Sequence, residues 1–126
     1  WILTIQSQGY SSPAIGVNGH IYVTSGKKLY AVDPSTLSCG QGCYASHTLW
    51  AYATGGNMES SAAVAANGHV YVGSNDKKLH AVDPADLQVV ACGQSCDTTN
   101  ALWTYATGSD VRSSPAIGAD GTVFVG

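Results

Sequence analysis

The sequence predicts an all-β fold made of repeated four-stranded antiparallel sheets. Three observations predict it: a long internal repeat, a tryptophan at a fixed distance before each copy, and an Asn-Gly or Asp-Gly turn inside each copy. The segment from Ser11 to Val23 returns from Ser60 to Val72 and from Ser113 to Val125, in steps of 49 and 53 residues. Trp1, Trp50 and Trp103 each stand ten residues ahead of a copy's first serine. Repeats of this length encode a supersecondary unit that stacks on its neighbours to bury a shared core.

Each element follows in order. Ser11-Ser12-Pro13-Ala14-Ile15 is a short first strand of small residues. Asn18-Gly19 then predicts a hairpin, with positive φ at both central positions of a type I′ turn. Ile21-Tyr22-Val23 is a β-branched and aromatic second strand. The third is Leu29-Tyr30-Ala31-Val32, ended by Asp33-Pro34, because proline has no N–H for a ladder. The fourth carries the tryptophan, with Trp50, Tyr52 and Thr54 on one face and Leu49, Ala51 and Ala53 on the other. No segment shows a helical period.

Four short antiparallel strands every 40–50 residues or so are the mark of a β-propeller blade. The expected division of 1–126 is 1–10, the last strand of a blade; 11–59 and 60–112, two complete blades; and 113–126, the first two strands of another. Eleven strands are too few to close a ring of four-stranded blades. The chain is therefore expected to be part of a longer polypeptide or to assemble with further copies of itself, whose head-to-tail contact could close or run on.

Composition excludes some functions. Charged residues are only 10% of the 126, the formal charge is −3, and no basic run offers the surface that nucleic acid needs. No apolar stretch is long enough to form a spanning helix.

The four cysteines lie in an insertion after the third strand: Cys39 and Cys43 in one repeat, Cys92 and Cys96 in the next. The plainest reading is a disulfide inside each loop, since cysteines pair evenly at matched spacings. A four-thiolate zinc site and a redox-active pair are the alternatives. Disulfides imply an extracellular or periplasmic location.

Ser-Ser-Pro-Ala-Ile, Asp-Gly-Thr-Val-Phe-Val-Gly, Lys-Leu-Tyr-Ala-Val-Asp-Pro and the trailing tryptophan resemble the pyrroloquinoline-quinone-like repeat, over nearly the whole chain. The resemblance implies seven- or eight-bladed rings. It also implies that Ala31, Asp33 and Trp50, and again Ala81, Asp83 and Trp103, dock one blade on the next. One departure is that Leu37 and Leu87 stand where such repeats turn with glycine.

Two functions follow. A non-catalytic secreted or periplasmic scaffold, binding protein or carbohydrate, needs only the repeats, the disulfides and a low-charge surface. A fragment of a quinone-dependent alcohol or sugar dehydrogenase is the alternative, in which the resemblance implies pyrroloquinoline quinone and calcium. No cofactor, metal or catalytic residue is assigned from the sequence: it has no adjacent cysteine pair and no evident acidic cluster. Glu59, Asp110 and Arg112 lie in equivalent interblade loops and are the first place to look for a site. His20 and His69 read as solvated strand starts, and His80 as an amphipathic strand position matching Tyr30. The Lys27-Lys28 and Lys77-Lys78 pairs read as solubilising edge charges.

Overall fold

A computed structural model describes residues 11–36, 48–87 and 97–126. The first sheet contains β1 (Ala14–Ile15), β2 (Ile21–Ser25), β3 (Lys28–Val32) and β4 (Thr48–Ala53) as an antiparallel meander. The second repeats it with β5 (Ala63–Val64), β6 (Val70–Ser74), β7 (Lys78–Val82) and β9 (Trp103–Ala106). A two-stranded piece, β10 (Ala116–Ile117) and β11 (Val123–Phe124), begins a third. The innermost strands are neighbours, β1 beside β5 and β5 beside β10. This is a partial β-propeller.

One strand was not foreseen. β8 (Asp97–Thr98) comes from the second repeat's insertion but pairs in parallel with β4 of the first sheet, Ala51 opposite Asp97 and Tyr52 opposite Thr98. It adds a fifth strand to the outer edge of that sheet.

The first hairpin differs from the type I′ expectation. Gly16 N–H donates to His20 O at 2.9 Å and Gly19 N–H donates to Gly16 O at 2.9 Å, leaving a three-residue loop. Gly19 has φ +80° and Asn18 has no positive φ. The reason is the asparagine side chain, whose Oδ1 accepts the His20 N–H at 3.0 Å and closes the turn itself. Asn67 does the same for His69, and Asp120 for Thr122.

Short helical turns follow each Asp-Pro, too brief to leave a period in the sequence: a 3₁₀ turn at Pro34–Thr36 and an α-turn at Pro84–Leu87. Proline suits a first helical position, and the preceding aspartate caps it. Asp33 Oδ1 accepts from Ser35 N–H at 2.8 Å and Oγ at 2.6 Å; Asp83 Oδ1 accepts from Ala85 N–H at 2.9 Å. The second turn drives Leu87, 3% exposed, into the interblade core. Packing is why leucine stands there.

The core is the seam between sheets. Tyr22, Leu29, Ala31, Trp50 and Tyr52 of the first pack with Met58, Ala62, Val70, Val72, Val82 and Leu87. At the next seam, Tyr71, Leu79 and Ala81 meet Ile117, Val123 and Val125. Gly73 marks a close approach of backbones: a Cβ there would lie 2.5 Å from Val111 Cγ1 and 2.8 Å from Val111 O.

Candidate functional site

The residues expected to dock one blade on the next fall into two kinds. Ala31 lies opposite Trp50 and Ala81 opposite Trp103 in adjacent strands, so each alanine leaves room beside the indole. Trp50 is 2% exposed, with its ring centroid 5.8 Å from that of Tyr22. Trp103 makes the matching contact with Tyr71 at 5.7 Å but is 41% exposed. Asp33 and Asp83 hold the helical turns just described, and Asp83 lies 3.7 Å from His69 Nε2. Cys39, Cys43, Cys92 and Cys96, like Trp1, Leu37 and His47, lie outside the described residues.

A serine ladder links the blades along their inner strands. Ser12 N–H donates to Ser61 Oγ at 2.8 Å, and Ser61 N–H donates to Ser114 Oγ at 3.0 Å. Thr24 Oγ1 adds a buried bond to Ser60 O at 2.9 Å. The duplicated Ser-Ser was legible as a repeat, but its use as a joint was not.

His80 is a correction to the amphipathic reading. It is 4% exposed and forms the centre of a chain across the seam. Its Nδ1 is 2.8 Å from Tyr52 Oη, and its Nε2 is 3.0 and 3.1 Å from the two Asp76 carboxylate oxygens. A carboxylate only accepts, so Nε2 donates to Asp76, and in the neutral ring Nδ1 accepts from the tyrosine. Burial, then the nearby Asp76 charge, pushes the Tyr52 hydroxyl up to about 12. Burial would also raise Asp76, but hydrogen bonds from His80, Gly55 N–H and Ser74 outweigh it and hold the carboxyl below its usual range. The order carboxylate, imidazole, hydroxyl is that of a nucleophile relay. Here Tyr52 is 2% exposed, so no substrate reaches it and the chain acts as a clamp.

The structure does bring Glu59, Asp110 and Arg112 together. They sit on the linkers leaving β4 and β9, one from each blade. Arg112 Nε lies 3.7 Å from Glu59 Oε2, and its Nη2 3.4 Å from Asp110 Oδ2. Asn75 Nδ2 donates to Glu59 Oε1 at 3.0 Å, while Asn75 Oδ1 is buried without a hydrogen-bond partner. The Arg112 side chain is 66% exposed, so these pairs contribute little to stability and leave the guanidinium open to a ligand.

No family model matches the chain, and no curated protein matches it. Among solved structures it is similar to a europium-containing methanol dehydrogenase. The TM-score is 0.50 at 17% identity, over 91% of this chain and 23% of the dehydrogenase. At that identity the likeness concerns the fold alone, a β-propeller, and this chain spans less than a quarter of the neighbour's length. Among the described residues no three His, Cys, Asp or Glu side chains converge as metal ligands, and no helix is long and apolar enough to cross a membrane.

Proposed function

We propose that the chain is a blade segment of a secreted or periplasmic β-propeller that serves as a binding scaffold for protein or carbohydrate. The observation that carries this reading is the pairing of equivalent linker residues, Glu59 and Arg112, across successive blades at a solvent-open edge. Such a mixed-charge rim with an exposed guanidinium suits recognition of polar groups on a partner. The disulfide reading of the four cysteines accords with this location. The test is binding of the protein to an array of immobilised glycans and polar peptides, with Arg112→Ala as the comparison. Ligands retained by the parent and lost by the variant support the reading; identical profiles sink it.

The dehydrogenase reading is favoured by one observation, the quinoprotein neighbour. The described residues do not themselves fit a quinone with calcium or a lanthanide. Both carboxylates of the rim face Arg112, and among the described residues no third His, Cys, Asp or Glu joins them. No catalytic step is therefore derived through that cofactor. Dye reduction with alcohols or glucose, after adding pyrroloquinoline quinone and calcium, would reverse the preference.

A further inference from the structure

The charged residues are sorted between the two rims of the blades. The β2–β3 and β6–β7 turns share one rim with the linkers that leave β4 and β9: Thr54 N–H donates to Lys27 O at 2.9 Å, and Thr107 N–H donates to Lys77 O at 3.0 Å. All five cations of the chain lie there, Lys27, Lys28, Lys77, Lys78 and Arg112. Three carboxylates lie among them and are already engaged, Asp76 with His80, and Glu59 and Asp110 with Arg112. The opposite rim is formed by the β1–β2, β5–β6 and β10–β11 turns and the ends of β3 and β7. It carries Asp33, Asp83, Asp86 and Asp120, the histidines His20 and His69, and none of the five cations. With the histidines neutral, the first rim is net +2 and the second net −4. The remaining carboxylate, Asp97, stands on the edge strand β8.

The two signs bracket the same strand in each blade. Lys27-Lys28 opens β3 and Asp33 follows its end; Lys77-Lys78 opens β7 and Asp83 follows its end. Five residues of strand hold the signs roughly 17 Å apart. That is about two screening lengths at physiological salt, so neither rim neutralises the other.

We infer that the protein stacks coaxially on a second copy of itself, the lysine rim of one against the aspartate rim of the next. Because opposite charges end the same strand, one translation along β3 and β7 sets Asp33 against Lys27-Lys28, and Asp83 with Asp86 against Lys77-Lys78. The strand β8 lies beside β4, not over the end of β3. Exposed pairs of this kind are individually weak, so the junction depends on concentration and salt. The contact is heterologous and leaves an unlike rim free at each end of the stack. The inference does not rest on the scaffold reading; a stacked copy and a ligand at Arg112 compete for one rim.

Sedimentation velocity of the 126-residue chain reads the stack at about 0.01 M and about 1 M ionic strength, where charges are screened over ~30 and ~3 Å. Self-association at low salt, weakened at least about tenfold at high salt, is expected. Lys27→Glu with Lys77→Asp reverses the lysine rim, since aspartate tolerates the positive φ of Lys77. Asp33→Asn with Asp83→Asn neutralises the other rim and keeps the side-chain caps. Circular dichroism checks that both variants fold, and Lys27→Gln with Lys77→Asn replaces the reversed rim if it does not. Each variant alone should lose the salt-dependent association. An equimolar mixture should regain it as dimers that stop at two, because only one pair of intact unlike rims remains. A parent that stays monomeric at low salt overturns the inference. So does association indifferent to salt and to both variants, or a mixture no larger than its parts. A monomer held through Lys27 by immobilised dextran sulfate also overturns it, and assigns the rim to an acidic polymer. Glycan retention by Arg112→Ala is a separate readout, so failure of one reading does not entail failure of the other.

Discussion

Trp50 and Trp103 are the same residue in successive blades, with different amounts of cover, and that makes truncation of the pair a measurement of the seam. A buried aromatic hides about 150–250 Å², worth roughly 4–6 kcal/mol at about 25 cal/mol/Å². Trp50, 2% exposed, realises nearly all of it; Trp103, 41% exposed, realises about three fifths. Truncations of buried Phe and Trp to alanine cost about 3–5 kcal/mol. Trp50→Ala should therefore lose about 4 kcal/mol and Trp103→Ala about 2. The gap between them is firmer than either value, because the unfolded reference largely cancels. Urea unfolding followed by far-ultraviolet circular dichroism reads both. A loss of 4 kcal/mol is a large share of a small domain's stability, so Trp50→Phe, which keeps a ring against Tyr22, serves as a milder second variant. Equal losses at the two positions, or a larger loss at Trp103, would refute the claim that the seam between the blades is what holds the indole.

Three further outcomes are expected. Tyr52 is neutral when folded up to about pH 12 but ionises near pH 10 when unfolded. Its contribution is thus whole below pH 10 and falls as pH rises toward 12, by at most about 2–3 kcal/mol; Tyr52→Phe should flatten that part of the stability profile. Gly73→Ala places a methyl against the Val111 side chain and carbonyl and should cost about 1–3 kcal/mol in denaturant unfolding, whereas a midpoint unchanged from the parent would mean the two backbones separate easily. Lys77 has φ +67° at the β6–β7 turn, so Lys77→Gly should raise stability by about 0.5 kcal/mol, the relief of left-handed strain less glycine's extra freedom when unfolded.

The strand order was legible in the sequence because three copies of one pattern gave each strand a fixed place. Asn18-Gly19, Leu29 to Val32 and Trp50 fall where the pattern puts them. What escaped was whatever depends on a neighbour in space. His80 looked like a substituted Tyr30, since nothing local shows that Tyr52 and Asp76 converge on it from either side. Leu87 looked like a lost glycine turn, when it is a core residue of the seam. The parallel pairing of β8 with β4 joins residues 46 apart, Ala51 and Asp97, and crosses from one blade to the next, which no local pattern signals. The rim was legible in part: equivalent linker positions marked Glu59 and Arg112, but nothing local signalled that Asn75 bonds Glu59.

The serine ladder has a consequence for how such chains change over evolutionary time. Its donor and its acceptor belong to the same residue of the repeat, Ser12 to Ser61 and Ser61 to Ser114. A joint of that kind does not record its own position. If recombination deleted or duplicated one whole unit, the flanking units would still present matching halves. Blade number can then drift without any new contact being invented, while each blade's linkers diverge freely to suit different partners.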